Sequence, residues 1–501
     1  MRLAIVGGGS AGWMTAVYLD RTLNGTNGPK RVQITVIESP KIDRIGVGEA
    51  TVPTILKTLQ DMGISEKEFM SEADATFKQA IKFVDWNKGR DSNAYYHCFD
   101  RYQTSGRDNF SLRWALSGRD KPFAYTVSAQ PYICDQNRAP KRPSDKEYQG
   151  RLPYAYHMDA EKFAEFLAKT GVERGIAHIS DTVTDVNTDP KGIRSVVLEH
   201  GGEMAFDFFI DCTGFARLLM SQLPGYGIRS FSDKLLCDRA VAIQVPHDPE
   251  HPEILSSTES TAVENGWIWN ISLQSRKGYG YVYSSAHCSD EDAETRLRSF
   301  IGPRSESVAA RRLSFQSGVL KNPWVGNCVA VGLSAGFVEP MESTGIYFVE
   351  YAARMFAELF PIFGNNLLLQ SRFNELIHSR YDEVLDFIVA HYVLSDRDDT
   401  AFWKEARKQE KATEKLQDLL KIWQHKMVSA SDFANSHQLF GHLNYEYCVY
   451  GSNYLPDKIR IHQSHNGAIV NKAIQTAVQS FSECLPRNSE YFSSKSPGNE
   501  D

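Results

Sequence analysis

Leu3-Ala4-Ile5-Val6-Gly7-Gly8-Gly9-Ser10-Ala11-Gly12-Trp13 decides the fold. Four apolar residues read as a buried strand. The glycines at 7, 9 and 12 follow it as Gly-x-Gly-x-x-Gly and open a helix. Gly7 permits the tight turn, Gly9 lets a pyrophosphate approach the backbone, and Gly12 lets helix and strand pack closely. The helix start at Ser10 and Ala11 offers free amides and the positive end of the dipole to the phosphates. The next strand, Ile34-Thr35-Val36-Ile37, ends in Glu38, about 25 residues beyond the glycines, where a ribose-binding acid is expected. Strand, helix and acid together predict a bound adenine dinucleotide; a glycine turn without a ligand is the plainer alternative.

Outward from this stretch, residues 1 to 90 alternate short strands with helical segments, the rhythm of an α/β nucleotide-binding unit. Residues 91–156 are rich in Tyr, Arg, Asp and Pro and read as a loop-rich insertion. Strand-like runs return at 194–198, 206–210, 240–245, 280–284 and 328–332. The expected organisation is therefore discontinuous. Residues 1–90 and 157–340 form the nucleotide-binding domain, 341–487 a mainly helical substrate module, and 488–501 a flexible polar tail. One helix of that module carries Ile346, Val349, Ala353, Phe356 and Phe360 on one face and stops at Pro361.

One copy of the glycine motif fits either FAD or a nicotinamide dinucleotide. Phe208-Phe209-Ile210-Asp211-Cys212-Thr213-Gly214 resembles the second strand-turn segment of FAD-dependent monooxygenases, and Cys328-Val329-Ala330-Val331-Gly332 resembles their third flavin-contacting strand. These add Asp211, Gly214 and Gly332 to the cofactor set. The chain has no Asp-Gly dipeptide, so the motif that aromatic hydroxylases use with NADPH is missing. That points to a flavin reduced elsewhere.

The chain has 501 residues, of which 42% are hydrophobic and 23% charged, an ordinary globular mix with room for several domains. A net charge of −7 without any long Lys/Arg run speaks against a nucleic-acid partner. The apolar runs are too short to span a bilayer, and strand-like residues begin at Leu3 with no basic-then-apolar leader before them. A cytoplasmic location is expected. None of the eight cysteines forms Cys-x-x-Cys, so buried free thiols are favoured over disulfides, and no metal site is expected.

Six stretches in order resemble the flavin-dependent tryptophan halogenase family, over most of the chain. They are Gly7 to Trp13; Gly46-Val47-Gly48-Glu49-Ala50-Thr51-Val52-Pro53; Phe77-Lys78 with Phe83-Val84-Asp85-Trp86; Trp267-Ile268-Trp269-Asn270-Ile271; Phe337-Val338-Glu339-Pro340-Met341-Glu342-Ser343-Thr344-Gly345-Ile346-Tyr347-Phe348; and Ser395-Asp396-Arg397-Asp398-Asp399-Thr400-Ala401-Phe402-Trp403. The resemblance implies an α/β fold, an FAD-binding Rossmann unit like that of aromatic hydroxylases with an added helical substrate module. It implies FADH2 from a separate NAD(P)H-dependent flavin reductase, dioxygen, and chloride or bromide. Halide becomes hypohalous acid, which travels by a tunnel to a separate substrate pocket. Gly48, Glu49, Ala50 and Ile346 join the flavin set, and the Thr344 and Gly345 amides hold the halide.

By the same resemblance Lys78 captures the hypohalous acid, as a chloramine or by hydrogen bonding, and Glu342 orients the electrophile or removes the ring proton. Such positioning is what a promiscuous oxidant requires. Burial favours a neutral lysine and a nearby carboxylate favours a charged one, so the sequence leaves its state open. Trp267 and Trp269 point the same way if on a strand and would wall the tunnel; Ser272 stands where the family motif has proline. His97 and Phe99 match residues flanking the indole, with Ser343 nearby. In Asn444-Tyr445-Glu446-Tyr447-Cys448, Glu446 interrupts a usual tyrosine pair, which leaves recognition of a free amino acid open. The substrate is expected to be tryptophan or another indole, with phenols as an alternative. A salt-bridging Glu342, a core His97 and core tryptophans remain the plain structural readings. An aromatic hydroxylase and a non-catalytic flavin-binding protein are the competing functions, and a homodimer is left open.

Overall fold

The computed structural model describes residues 1–25, 30–42, 48–88, 94–101, 110–116, 119, 121–250, 252–360, 366–433, 438–456 and 468–493, with only the backbone of 468–471. The chain divides into two compact units. The first comprises Met1–Ala75, Met158–Ser232 and Phe315–Asp382; the second comprises Thr76–His157, Asp233–Ser314 and Glu383–Asp501.

The first unit is built on a six-stranded sheet in the order Trp324–Val325, Cys328–Ala330, Phe208–Asp211, Arg2–Val6, Gln33–Glu38, Ala177–Ser180. All neighbours are parallel except the hairpin at Trp324–Val325. Leu3, Ala4 and Ile5 are completely buried, because a central parallel strand is covered on both faces and so reads as an unbroken apolar run. The helix Ser10–Leu19 is buried from Gly12 to Leu19 and packs against Ala160–Glu173 and Gly345–Glu358. Its apolar content on all sides, rather than one stripe, follows from that double covering. Ile346, Val349, Ala353 and Phe356 are buried as their spacing requires. The helix ends at Glu358; Pro361, the expected stop, lies outside the described residues.

The second unit holds a seven-stranded sheet in the order Ala310–Ser314, Arg239–Pro246, Arg276–Tyr283, Gly266–Ser272, Thr258–Val263, Ala80–Val84, Ala94–Cys98. Its pairs are antiparallel except Thr258–Val263 with Ala80–Val84. The helices Asp290–Ile301, Ala401–Ala406, Glu414–Trp423 and His442–Gly451 belong to the same unit.

Three expectations need correction. The division at 90, 157 and 340 is not the structural one: 76–157 and 233–314 group with the C-terminal helices, because the strand Ala80–Val84 pairs with Thr258–Val263. The stretch 91–156 is loop-rich over 136–154 but not irregular throughout. It supplies the edge strand Ala94–Cys98 and the helices Phe110–Leu116, Phe123–Val127 and Gln130–Asp135. Tyr95, Tyr96, His97 and Cys98 are all buried, so their aromatic and polar character hid a strand covered on both faces. Finally, the polar tail does not begin at 488. Asn488–Ser493 is helical, the Asn488 amide donates to Ser256 Oγ at 3.0 Å, and Tyr491 packs on Phe77 with ring centroids 4.9 Å apart. None of the eight cysteines forms a disulfide, and five are buried. No helix among the described residues is long and apolar enough to cross a membrane.

Candidate functional site

In the first unit three strand-end turns meet at the carboxyl edge of the parallel sheet. Gly7 has φ +112°, and a Cβ there would stand 2.3 Å from Cys212 O; at Gly12 it would stand 1.8 Å from Gly7 O. Both positions are closed to side chains. At Gly9 and Gly214, by contrast, a Cβ would meet nothing within 4 Å, so these turns face open space. Gly332 sits against Ala11 and Val349, with its Cβ position 2.9 Å and 3.4 Å from their methyl carbons. Gly9 is the N-cap of Ser10–Leu19 and brings no side chain to its amides, which remain available to an anion. Glu38 lies partly exposed at the strand end, its Oε2 3.2 Å from His178 Nε2 and 3.5 Å from Trp13 Nε1. Open space over two glycine turns, free helix amides and an acid at the next strand end fit a dinucleotide.

Asp211 plays a different part from the one its motif suggested. Its Oδ1 accepts from Thr213 N, Thr213 Oγ1 and Ser334 Oγ at 2.9, 2.7 and 3.0 Å; Oδ2 accepts from Leu219 N and Met220 N, both at 2.9 Å. Five donors exhaust a carboxylate's lone pairs, so the side chain builds the Gly214 turn and has none left for a ligand. Ser334 and Arg217, which donates to Ser334 O at 3.1 Å from a left-handed backbone, complete that turn. Neither was legible in the sequence beforehand.

Along the chain from the sheet, Glu342 ends the short turn Pro340–Glu342 and is buried. Ser343 follows with φ +59°, a left-handed conformation that a non-glycine residue adopts at some cost. Thr344 is then the N-cap of Gly345–Glu358 and makes no side-chain capping bond. Ile346 is buried in the first turn. Gly48, Glu49 and Ala50 form a short strand that is partly exposed; Gly46 and Val47 lie outside the described residues. Glu49 Oε2 lies 3.8 Å from the Cβ position of Gly345. Crowding by protein atoms, although part of its surface is open, lifts its carboxyl to about 7.

In the second unit Lys78 is wholly buried. It ends the strand Thr76–Lys78, which pairs with Ala155–His157 and is tied down by the Thr76 hydroxyl donating to Ser272 O at 2.5 Å. Its Nζ stands 5.3 Å from the Phe99 ring centroid, a cation–π distance. His157 shares its face of the pair, two positions along. His157 Nε2 meets Thr258 Oγ1 at 2.8 Å, and its titration is pushed well below the usual histidine range by burial and then by the Lys78 charge. His157 had no motif to announce it; only its alternation with Ala155 along one strand points to the lysine.

Trp267 and Trp269 lie on one face of Gly266–Ser272, ring centroids 6.3 Å apart, Trp267 buried and Trp269 partly open. His97 is buried, with Asn444 Nδ2 donating to its Nε2 at 2.9 Å and Phe387 5.3 Å away. Asn444 through Cys448 form part of the helix His442–Gly451, and this separates the two tyrosines. Residues two apart on a helix point about 200° apart. Tyr445 therefore packs into Phe387, Phe433 and Trp423, whereas Tyr447 donates to Asp100 O at 3.2 Å and packs on Phe123. They do not flank one ligand. Glu446, between them, faces Ser111 Oγ at 3.4 Å through Oε1, while Oε2 is buried with no partner. Burial raises its carboxyl to about 8.

The geometry thus gives one unit a buried amine beside an aromatic ring and the other a set of glycine turns that fit a dinucleotide. The family described as Tryptophan halogenase matches residues 2–468. Tryptophan 6-halogenase SttH of Streptomyces toxytricini is 38% identical over 430 residues, 81% of this chain and 80% of that protein. Among solved structures, the tryptophan halogenase from Shewanella frigidimarina NCIMB 400 superposes with a TM-score of 0.91 at 32% identity, covering 98% of this chain and 97% of that one. Tar14, a tryptophan C-6 flavin-dependent halogenase from taromycin biosynthesis, also gives 0.91, at 34% identity over 98% and 99%.

Proposed function

The chain belongs to the tryptophan halogenase family and is an enzyme, a flavin-dependent halogenase; from that premise we propose that it takes FADH2 from a separate NAD(P)H-dependent reductase and halogenates an electron-rich aromatic, foremost tryptophan or another indole. The observation that carries the reading is the burial of Lys78 against Phe99, 5.3 Å from its ring centroid. A lysine kept only for solubility would not be sequestered from water.

When bound, FADH2 with dioxygen supplies the oxidising equivalents that turn chloride or bromide into hypohalous acid. The turns at Gly7, Gly9, Gly12, Gly214 and Gly332 and the Ser10 and Ala11 amides hold the dinucleotide. Glu38 takes the ribose, and Gly48, Glu49, Ala50 and Ile346 line the flavin. The amides of Thr344 and Gly345 hold the halide at the helix start. Trp267 and Trp269 keep the aromatic substrate from the flavin. Lys78 binds hypohalous acid, by hydrogen bond or as a chloramine, and presents it to one ring carbon. Glu342 accepts the proton that this carbon loses, and Ser343 lies on the approach. His97, Phe99 and Tyr447 wall the ring, and Glu446 meets any cationic group the substrate carries. A cytoplasmic location suits a partner reductase that consumes NAD(P)H.

The test is Lys78→Ala assayed with a flavin reductase, NADH, FAD, bromide and a panel of indoles and phenols, products being read by mass spectrometry. Halogenation should fall by at least ~100-fold while FAD still binds. Near-normal turnover in that variant would remove Lys78 from the chemistry.

A further inference from the structure

The helix Gly345–Glu358 begins without a cap of its own. Thr344 stands at its N-cap with a buried hydroxyl that has no hydrogen-bond partner. Beside the first residue lies Glu49, its Oε2 3.8 Å from the Cβ position of Gly345. Among the described residues, Glu49 makes no hydrogen bond or ion pair. A carboxylate and a halide seek the same positive helix end, and two like charges at this range repel by several times the thermal energy.

We infer that Glu49 is the proton-linked partner of the halide: the anion occupies the Gly345 amides only while Glu49 carries its proton, and that proton is the one consumed as halide becomes hypohalous acid. The inference rests on the halide position proposed above. The stoichiometry requires such a proton, since FADH2 + O2 + X⁻ + H⁺ yields FAD + HOX + H2O. Glu49 gives its hydrogen to the oxygen that leaves as water and regains one from solvent with the next halide.

Crowding by protein atoms, the sole cause of the shift although part of its surface is open, lifts the Glu49 carboxyl to about 7, which leaves it able both to hold and to release a proton near neutrality. The titratable and charged groups on the neighbouring elements include His157 and Asp159 on Ala155–Asp159, the strand next to Gly48–Ala50 in its sheet, as well as Glu38, Glu339, Glu342, Glu350, Arg354 and Arg380. None of them contributes to that shift.

Bromide titrated calorimetrically into the FAD-loaded chain, from about pH 6 to about pH 9, tests this. Above Glu49's titration the bromide Kd should rise about tenfold per pH unit, with close to one proton taken up per anion bound, read from buffers of different ionisation enthalpy. Glu49→Gln should bind bromide with a flat pH profile and no proton uptake. A flat profile in the unaltered chain, or a Gln variant with the unaltered slope, overturns the inference while leaving the halide position standing. Absence of bromide binding at every pH removes the halide position and this inference with it. Should the variant not fold, the proton count of the unaltered chain decides alone.

Discussion

The indole of Trp269 covers the backbone of Gly280, so closely that a Cβ at Gly280 would stand 1.9 Å from Trp269 Cζ2 and 2.0 Å from Cη2. The two residues are register partners on adjacent antiparallel strands. An isolated glycine inside a strand often marks such a close approach, and here it sets where one ring of the tryptophan pair can lie. Gly280→Val should displace the Trp269 ring by an ångström or more. Halogenated product per FADH2 oxidised should then fall, by up to ~100-fold, with the fold retained. An unchanged ratio, measured by product mass spectrometry against flavin oxidation, would show that this wall does not partition the reaction.

Asp211 gathers five donors from Thr213, Ser334, Leu219 and Met220. Asp211→Ala removes the acceptor of three buried donors, on Ser334, Leu219 and Met220, and of two part-buried ones on Thr213, at a cost of at least ~3 kcal/mol. Urea unfolding should show this as a large drop in midpoint, and FAD affinity should drop because the Gly214 turn loses its anchor. A loss under ~1 kcal/mol would mean that the network is redundant.

Glu350 joins two helices of the first unit by accepting from Thr58 Oγ1 at 2.6 Å. Burial raises its carboxyl from 4.5 to about 8, so the folded state holds a proton that the unfolded chain has released. Its contribution to stability is complete below about 4.5 and declines as pH climbs to about 8. Glu350→Gln should remove that slope. The Tm difference between variant and parent should therefore shift in the variant's favour between pH 5 and pH 8; a constant difference would contradict the protonated state.

Glu446 has one oxygen near Ser111 and one with no partner. A substrate ammonium would supply the missing partner and draw the carboxyl, raised to about 8, into its charged form. Glu446→Gln should raise KM for tryptophan by about tenfold or more and leave neutral indole within about twofold. Equal effects on both substrates would remove Glu446 from ammonium recognition.

The glycine turn after Leu3–Val6, the three parallel strands beside it and the face of the helix starting at Gly345 were all legible because each depends on neighbours in sequence. Alternation, helical spacing and turn chemistry are local properties. So were the motifs that place the chain in its family. The domain division was not legible, since it follows from Ala80–Val84 pairing with Thr258–Val263 across a long separation. Nor was the separation of Tyr445 from Tyr447, which needed a helix where a binding segment was expected.

The sequence by itself determined which residue types the chain sets into its motifs: a glycine loop after the first strand, a lysine, a glutamate, and a tryptophan pair on one strand face. Tertiary structure alone decided which of those groups have atoms to spare. Asp211 is consumed by its own turn, Glu49 stands beside Gly345 without a partner among the described residues, and Trp269 depends on the bare backbone of Gly280. The reason is physical: residue type sets what a side chain can donate or accept, but burial and the company it keeps arise only when distant segments close on one another.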